Sequence, residues 1–253
     1  MVAPVIAVHS FQRGTGKSHL AANLAVLLVQ RGLRVGLVDT SLHAPALHIL
    51  LRLPPPAEPP RPSFAAFILE QRPGTAATLD RTSALGLDAH GRLFVLPAST
   101  DAAMVRQVLQ HGYSVEQLEH GLHTLTQDLA LDVLVLDTDA GVQPETLVML
   151  ALCDTLLVLL RLDPQDYQGT GVLLDVARQL DVRQPLLIVN QAPALYSPAT
   201  VLAQVAHSFA TPVAAVLPHF DELAALASSD VFVLRYPQHP LTHALHTLAR
   251  RLP

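Results

Sequence analysis

The strongest constraint on this chain is a short glycine-rich segment between an apolar run and a helical pattern. The segment is Gly14-Thr15-Gly16-Lys17-Ser18, and Lys17 is the only lysine among the 16 lysine and arginine residues. Residues 5–8 are apolar and β-branched, as in a buried strand, and residues 18–28 carry apolar side chains at helical spacing. A glycine turn that enters a helix presents backbone N–H groups and the positive end of the helix dipole to oxyanions. We therefore predict a nucleotide phosphate loop, in which Lys17 reaches the β- and γ-phosphates and Ser18 contacts Mg²⁺; a chance glycine turn is the alternative.

Strand and helix patterns alternate along the rest of the chain. Predicted strands lie at 35–38, 94–96, 133–136, 156–160, 186–189 and 213–217, and predicted helices at 101–109, 115–129, 144–152, 169–180, 198–209 and 241–252. Because right-handed crossovers return each strand to the same sheet, this order predicts an α/β fold. We expect three layers, α/β/α, around a mostly parallel twisted sheet, which is the P-loop NTPase architecture. With 50% hydrophobic and 15% charged residues, the 253 residues favour one nucleotide-binding domain over 1–253.

Composition and charge narrow the classes of site. The single cysteine, Cys153, cannot form an internal disulfide and is predicted to be a small core residue. The N-terminus enters a strand directly, so we expect no secretory signal, no membrane span and a cytoplasmic location. A net charge of −5 provides no electrostatic footprint for nucleic acid. The 13 histidines include His120 and His123 but show no closed zinc-site spacing, so solvated faces are favoured over a metal site.

Two segments outside the glycine loop have open interpretations. Residues 53–62 are rich in proline and are predicted to form a stiff surface connection, with a proline-rich ligand for a partner as the alternative. The last predicted helix has a stripe of Leu241, Leu245, Leu248 and Leu252. This stripe fits a closing helix packed on the domain, or an anchor on a membrane surface.

A second motif, Asp137-Thr138-Asp139-Ala140-Gly141, directly follows the predicted strand 133–136. In a P-loop protein a carboxylate at the end of a buried strand usually assists Mg²⁺, and a following glycine lets its N–H approach the γ-phosphate. We assign these roles to Asp137 and Gly141. Asp139 either lies near the γ-phosphate or caps a local turn.

The two motifs together resemble the MinD/ParA family of deviant Walker-A ATPases, of the SIMIBI class, whose loop reads approximately x-Lys-Gly-Gly-x-Gly-Lys-Thr/Ser. The resemblance implies that Asp39, at the end of the second predicted strand, is a switch aspartate. It implies catalytic roles for Lys17, Asp39 and Asp137, and a Mg²⁺ site of Ser18, Asp39 and Asp137. The residues implied to contact the nucleotide at the loop are Gln12, Arg13, Gly14, Thr15, Gly16, Lys17, Ser18 and His19.

This chain departs from the family pattern at three positions. Gln12 stands where the family has its signature lysine, and Arg13 replaces the first of the paired glycines. Ser41 stands two residues after Asp39, where the family supplies a second aspartate that orients the attacking water. A serine hydroxyl can hydrogen-bond water but is not a base. We therefore predict that intrinsic ATP hydrolysis is very slow.

The base is predicted to be adenine. Relatives that bind GTP place an aspartate three residues after an asparagine such as Asn190, and here that position is Pro193, which has no acceptor side chain. The resemblance implies that Asn190 contacts the purine edge and that the loop at Pro218 covers its face. A turn-forming residue after a strand is the alternative for Asn190.

Three function classes fit these residues. The first, which we favour, is a weak ATPase that forms a homodimer on ATP binding and positions an unknown protein partner or cargo. The second is a pseudo-ATPase scaffold, and the third a small-molecule ligase or kinase. In the first class Arg13 substitutes across the dimer for the missing lysine, and residues 161–170 lie near the dimer face unless they form a solvated loop. Relatives bind DNA nonspecifically, so a DNA-binding arginine patch formed in the dimer stays open.

Overall fold

The computed structural model describes residues 3–54, 63–70, 74–87 and 90–253. Within these ranges the chain forms one eight-stranded sheet flanked by α-helices. The strands are β1 (Val5–His9), β2 (Arg34–Asp39), β3 (Leu79–Asp80), β4 (Arg92–Leu96), β5 (Val133–Asp137), β6 (Thr155–Leu160), β7 (Gln184–Ala192) and β8 (Val213–Pro218). The helices are α1 (Lys17–Gln30), α2 (Leu47–Leu50), α3 (Phe64–Glu70), α4 (Gly74–Ala77), α5 (Ala102–His111), α6 (Val115–Asp128), α7 (Pro144–Ala151), α8 (Pro164–Gln179), α9 (Pro198–Phe209), α10 (Asp221–Ala225), α11 (Phe232–Arg235) and α12 (Pro240–Ala249).

The sheet confirms the predicted α/β architecture. Its strand order is β3-β4-β2-β5-β1-β6-β7-β8, and every neighbouring pair is parallel except β3 with β4. All the predicted strands are present, and the sheet also contains β3, a strand of only two residues that the sequence pattern does not indicate. Since β1 lies between β5 and β6, its carboxyl end opens beside the end of β5. Ligands of parallel sheets bind at this edge, and both predicted motifs lie there.

Two hydrophobic cores, one on each face of the sheet, confirm the three layers. On β1, Ile6 and Val8 belong to one core and Ala7 to the other, as expected from the alternation of side chains along a strand. The first core buries α1 together with α2, α11 and α12. The second core buries residues of α3, α6, α7, α8 and α9.

Helix α8 begins earlier than predicted. The sequence pattern places its start at Gly169, whereas the helix starts at Pro164. The Asp163 carboxylate caps it by accepting a hydrogen bond from the Asp166 N–H at 2.9 Å, and proline is well suited to the first helical position. This first turn is mostly polar, so it lacks the apolar periodicity from which a helix is predicted. Helices α2, α3, α4, α10 and α11 have seven residues or fewer and show too little periodicity to be predicted.

The two segments with open interpretations have different outcomes. The leucine stripe of the last helix is buried, with Leu241, Leu245, Leu248 and Leu252 in the core that contains α1. The stripe therefore acts as part of a closing helix, and it is not available to a lipid surface. The predicted proline-rich connection lies outside the described residues from position 55 onward. Cys153 is buried, as predicted.

Membrane spans and metal clusters are absent from the described part of the chain. No helix in it is both long and apolar enough to cross a membrane. No group of three or more histidine, cysteine and acidic residues within the described ranges is placed to hold a metal ion.

Candidate functional site

The glycine loop joins β1 to α1 and is shaped by two glycines with positive φ. Gly14 has φ 76° and Gly16 has φ 95°, in the region that side chains other than glycine rarely adopt. Gly16 is also crowded, because a Cβ atom there would lie 2.5 Å from the Asn190 Nδ2 atom. Lys17 then starts the helix. The loop therefore directs the first turn of α1 toward the carboxyl edge of the sheet.

Ser10 organises the inside of this loop. Its hydroxyl donates to the Gln12 carbonyl oxygen at 2.6 Å and accepts hydrogen bonds from Thr15 Oγ1 at 2.8 Å and Lys17 Nζ at 3.0 Å. Thr15 is buried by this contact. Ser10 thus holds Lys17 in place while leaving two of its three ammonium hydrogens for a ligand. The sequence analysis misses Ser10, although a small hydroxyl residue between a strand and a glycine loop is a weak signal for such a role.

A contact with α8 accommodates Phe11, which stands where the standard phosphate-loop motif has glycine or alanine. The Phe11 ring lies directly against the backbone of Gly169 in α8, in the space that a Cβ atom there would need. The Ser10 carbonyl beside it accepts a hydrogen bond from the Gly141 N–H at 3.0 Å. The loop is therefore attached to α8 on one side and to the segment after β5 on the other.

Asp39 and Asp137 end neighbouring strands in register. Asp137 is 2% exposed, interacts with the Ser18 hydroxyl, and has one carboxylate oxygen, Oδ1, without a hydrogen-bond partner among the described residues. Burial raises the pKa of Asp137 to about 7, against the opposing effects of Ser18 and Lys17. Burial, and then the charge of Asp137, raise the pKa of Asp39 well above its usual range.

The Asp39 carboxylate is directed into the chain that follows β2. It accepts hydrogen bonds from the Ser41 N–H at 3.1 Å and the Leu47 N–H at 3.3 Å. Asp39 therefore shapes the segment after β2 and the start of α2, and it does not line the cleft described below.

Burial lowers the pKa of Lys17, although the carboxylates of Asp137 and Asp139 oppose this shift. Burial, and then the Lys17 charge, lower the pKa of His9 to about 3, so this histidine is neutral at physiological pH. Its Nδ1 atom lies 2.7 Å from Thr138 Oγ1, and its Nε2 atom has no partner among the described residues. Lys17 is thus the cation at the centre of the site.

Asp139 links the two segments that follow β2 and β5. It accepts hydrogen bonds from Ser41 Oγ at 2.6 Å, the Leu42 N–H at 2.9 Å and His43 Nδ1 at 3.0 Å. Although burial opposes the change, these hydrogen bonds lower the pKa of Asp139. Asp139 therefore orders a loop on a different segment and also lines the cleft.

A cleft of about 410 Å³ runs along this edge of the sheet. It brings together most of the predicted site, namely Arg13, Gly14, Gly16, Lys17, Ser18, His19, Asp137, Asn190 and Pro218. Gln12, Thr15, Asp39 and Gly141 are not in its lining. Arg13 is exposed, whereas Gln12 is half-buried with its carbonyl turned toward Ser10. Ser41 and Asp139 line the cleft as well.

The other end of the cleft could accommodate a purine. Its lining includes Gln191, His219 and Phe220 beside Asn190 and Pro218. Asn190 Nδ2 donates to the Thr15 carbonyl at 2.7 Å, which attaches β7 to the glycine loop. This contact uses one of the two N–H donors of the amide and leaves the other, together with the acceptor Oδ1, for a ligand. His19 Nε2 lies 2.8 Å from Ser228 Oγ across the cleft.

Comparison with known proteins shows which family this chain resembles. The ParA family model, described as NUBPL iron-transfer P-loop NTPase, matches residues 1–188. An uncharacterized ATP-binding protein of Methanocaldococcus jannaschii is 25% identical over 258 residues, which cover 100% of this chain and 88% of that protein. An iron-sulfur cluster carrier protein of Aquifex aeolicus is 48% identical over 52 residues, which cover only 21% of this chain and 14% of that protein.

Solved structures share the fold. The cell division ATPase MinD of Pyrococcus furiosus superposes with a TM-score of 0.79 at 19% identity, covering 99% of this chain and 98% of that one. MinD of Pyrococcus horikoshii, complexed with Mg-ADP, gives 0.77 at 17% identity, with 99% and 96% covered. A chain of the MinC:MinD complex of Aquifex aeolicus gives 0.77 at 18% identity, with 99% and 95% covered. With the family model matched over residues 1–188 and the whole fold shared, this chain belongs to the ParA family of P-loop NTPases, as the resemblance to MinD/ParA-like ATPases predicts.

Proposed function

We propose that this protein binds Mg-ATP in the cleft, forms a homodimer in the ATP state and hydrolyses ATP slowly, and that it acts in this way as a switch on a protein partner or cargo. The site residues assigned above are part of this proposal. So is the organisation of residues 1–253 as a single nucleotide-binding domain.

One observation carries the proposal. Asp137 Oδ1 is a buried carboxylate oxygen without a partner among the described residues, on a carboxylate that interacts with the Ser18 hydroxyl and the Lys17 ammonium. A buried acceptor is costly when unpaired, so this oxygen fits a site completed by a ligand. Oxygen donors of this kind are what Mg²⁺ prefers, and Lys17 carries the complementary charge for phosphate.

Ser18 and Asp137 would hold the Mg²⁺ ion, with Asp39 supporting Asp137 from the neighbouring strand. The metal would neutralise charge on the phosphate oxygens. Gly14, Thr15 and Gly16 supply the backbone of the loop around the phosphates, and His19 lies where α1 meets the rest of the cleft. Gly141 attaches the segment after β5 to the loop through its N–H bond to Ser10.

The purine end supports adenine. Asn190 offers an acceptor oxygen, which can accept a hydrogen bond from the exocyclic amino group of adenine. No carboxylate lies among the described lining residues at this end of the cleft to pair with the N1–H and amino group of guanine.

The dimer and the slow rate are supported by the glycine loop itself. Arg13 is exposed on the rim of the cleft, where a second copy could present its own arginine to the phosphates. A guanidinium can bind phosphate oxygens bidentately. Gln12 has no charge, so it cannot supply the transition-state stabilisation that a lysine would. MinD of Aquifex aeolicus forms a complex with MinC, and a protein partner of this chain is proposed by analogy alone.

Iron-sulfur transfer, which appears in the descriptions of the family model and of one relative, is not favoured for this chain. Iron-sulfur clusters are held by several cysteine thiolates. This chain has one cysteine, Cys153, which is buried and donates to the Leu150 carbonyl at 3.2 Å. Burial raises the pKa of the Cys153 thiol to about 12. It is therefore neither accessible nor ionised for metal binding.

The proposal is tested by calorimetric titration of Mg-ATP into the wild type and the Lys17→Ala variant. Removing the Lys17 ammonium leaves phosphate charge uncompensated, so binding should weaken by about 100-fold or more. The matched control is Arg106→Ala, which removes one positive charge from an exposed position on α5, outside the cleft. The control should bind as the wild type does. Unchanged affinity in Lys17→Ala, or no binding by the wild type, would refute the proposal.

A further inference from the structure

The Ser41–Asp139 pair suggests how this chain compensates for the missing switch aspartate. Ser41 stands two residues after the end of β2, and Asp139 stands two residues after the end of β5. The two side chains meet at 2.6 Å, and both line the cleft that contains Lys17. A carboxylate is thus present within hydrogen-bond distance of the position where serine replaces an aspartate.

Asp139 differs from the other acidic groups near the cleft. Among the described residues that line the cleft, only Asp137 and Asp139 are acidic. Asp137 lies beside Ser18 in the proposed Mg²⁺ site, and Asp39 is occupied by two backbone N–H groups outside the lining. Asp139 also lies close enough to Lys17 to raise the pKa of its ammonium. Asp139 is therefore the carboxylate that remains for a water molecule beside the phosphates.

The hydrogen bonds of Asp139 hold it in one orientation and leave acceptor capacity. Oδ2 accepts from the Leu42 N–H and from His43 Nδ1, whereas Oδ1 accepts from the Ser41 hydroxyl. Each carboxylate oxygen has about two acceptor positions, so Oδ1 keeps one. The Ser41 oxygen also accepts from the Ala44 N–H at 3.0 Å, which fixes the hydroxyl toward Asp139.

We propose that Asp139 orients the attacking water for ATP hydrolysis, and that Ser41 is the positioning residue that holds its carboxylate. This inference rests on the proposed function. The water oxygen forms a bond to the γ-phosphorus, and the bond between that phosphorus and the oxygen bridging to the β-phosphate breaks. Asp139 orients the water by accepting a hydrogen bond from it. The electron pair of the broken bond stays on ADP, and the water proton leaves with the inorganic phosphate.

The test uses Asp139→Asn, which removes the charge but retains atoms able to accept from Leu42 and to donate to Ser41. Single-turnover hydrolysis should fall by about 100-fold or more. A second readout is independent of turnover. Removing a negative charge near the γ-phosphate should tighten calorimetric binding of adenylyl imidodiphosphate with Mg²⁺ by about threefold to tenfold, with Mg-ADP affinity unchanged.

The matched control is Asp128→Asn, an exposed carboxylate at the end of α6, which leads to the amino end of β5 and so to the opposite edge of the sheet. It should behave as the wild type in every assay. If Asp139→Asn does not fold, the double variant Ser41→Asp with Asp139→Ser tests the proposal instead. This variant keeps a serine–aspartate pair and exchanges the two positions. Its turnover should lie within about tenfold of the wild type.

The outcomes separate this inference from the proposed function. A wild type that does not bind Mg-ATP refutes the proposed function. A wild type that binds Mg-ATP without any turnover overturns the role of Asp139 and the slow hydrolysis of the proposed function, but leaves its nucleotide binding intact. The role of Asp139 is also overturned if Asp139→Asn hydrolyses ATP within about threefold of the wild-type rate. A double variant that binds the analogue but does not hydrolyse ATP overturns it as well.

Discussion

Gly16→Ala tests whether the glycine loop is held by Asn190. The substitution places a Cβ atom 2.5 Å from Asn190 Nδ2 at a residue with φ 95°. The Asn190 amide is not free to move at little cost, because it donates to the buried Thr15 carbonyl at 2.7 Å. The new methyl group must therefore displace it and break this bond. Gly14→Ala is the matched control, since Gly14 also has a positive φ, 76°, but no atom within 4 Å of an added Cβ.

The two variants should differ by the value of one buried hydrogen bond. Alanine in the left-handed region costs about 1–2 kcal/mol, and both variants bear this cost. Leaving a buried carbonyl without its donor costs about 1–3 kcal/mol more, and only Gly16→Ala bears it. We expect losses in the free energy of unfolding of about 2–5 kcal/mol for Gly16→Ala and about 1–2 kcal/mol for Gly14→Ala.

Urea unfolding followed by circular dichroism measures both values, and a double-mutant cycle isolates the cause. In the Asn190→Ala background the clash and the hydrogen bond are already absent, so Gly16→Ala should cost only about 1–2 kcal/mol there. The two substitutions should therefore be less than additive. Equal losses for Gly14→Ala and Gly16→Ala, or strict additivity in the cycle, would show that Asn190 does not hold the loop.

Two further predictions concern a buried histidine and the rim of the cleft. Because the pKa of His9 is about 3 in the folded protein and 6.5 for an unperturbed histidine, its contribution to stability is present above pH 6.5 and lost as the pH falls. As the pH falls from about 6 to about 4, the wild type should lose up to about 1.4 kcal/mol of unfolding free energy per pH unit that His9→Asn does not lose. Urea unfolding of both proteins at several pH values measures this difference, and a difference that does not change with pH would contradict the prediction. Arg13→Ala should abolish the ATP-dependent dimer in sedimentation while keeping nucleotide binding; a wild type that stays monomeric at high concentration with saturating ATP analogue would remove both the dimer and the role of Arg13.

The fold could be predicted well because its strands are short, buried and separated by helices of ordinary length. Runs such as Val133 to Leu136 are apolar on both faces, which is the pattern of parallel strands covered by helices. Strand β3 and the short helices escape prediction because two to seven residues do not establish a period. The start of α8 is predicted too late because its first turn is capped and polar.

At the site, residues whose placement depends on neighbours in sequence were predictable. Lys17 and Ser18 follow a glycine turn, and Asp137 ends a strand, so their placement follows from local structure. Ser10 bonds through its hydroxyl to residues no more than seven positions away, and it escapes prediction because a single hydroxyl residue is a weak signal. The contact of Phe11 with Gly169 depends instead on the folding of α8 against the loop. A single sequence read in windows does not contain these distances.

The contact between Ser41 and Asp139 could have been predicted from the sequence if the strand order had been known. Both residues stand two positions beyond the end of a strand, and Asp39 pairs with Asp137 in the register of β2 and β5. In neighbouring parallel strands in register, residues at equal offsets beyond the ends lie next to each other. The serine that interrupts one motif and the additional aspartate in the other are therefore a single local feature once β5 is known to lie beside β2. Sequence periodicity does not reveal this strand order, so the two residues look like unrelated departures until the sheet is assembled.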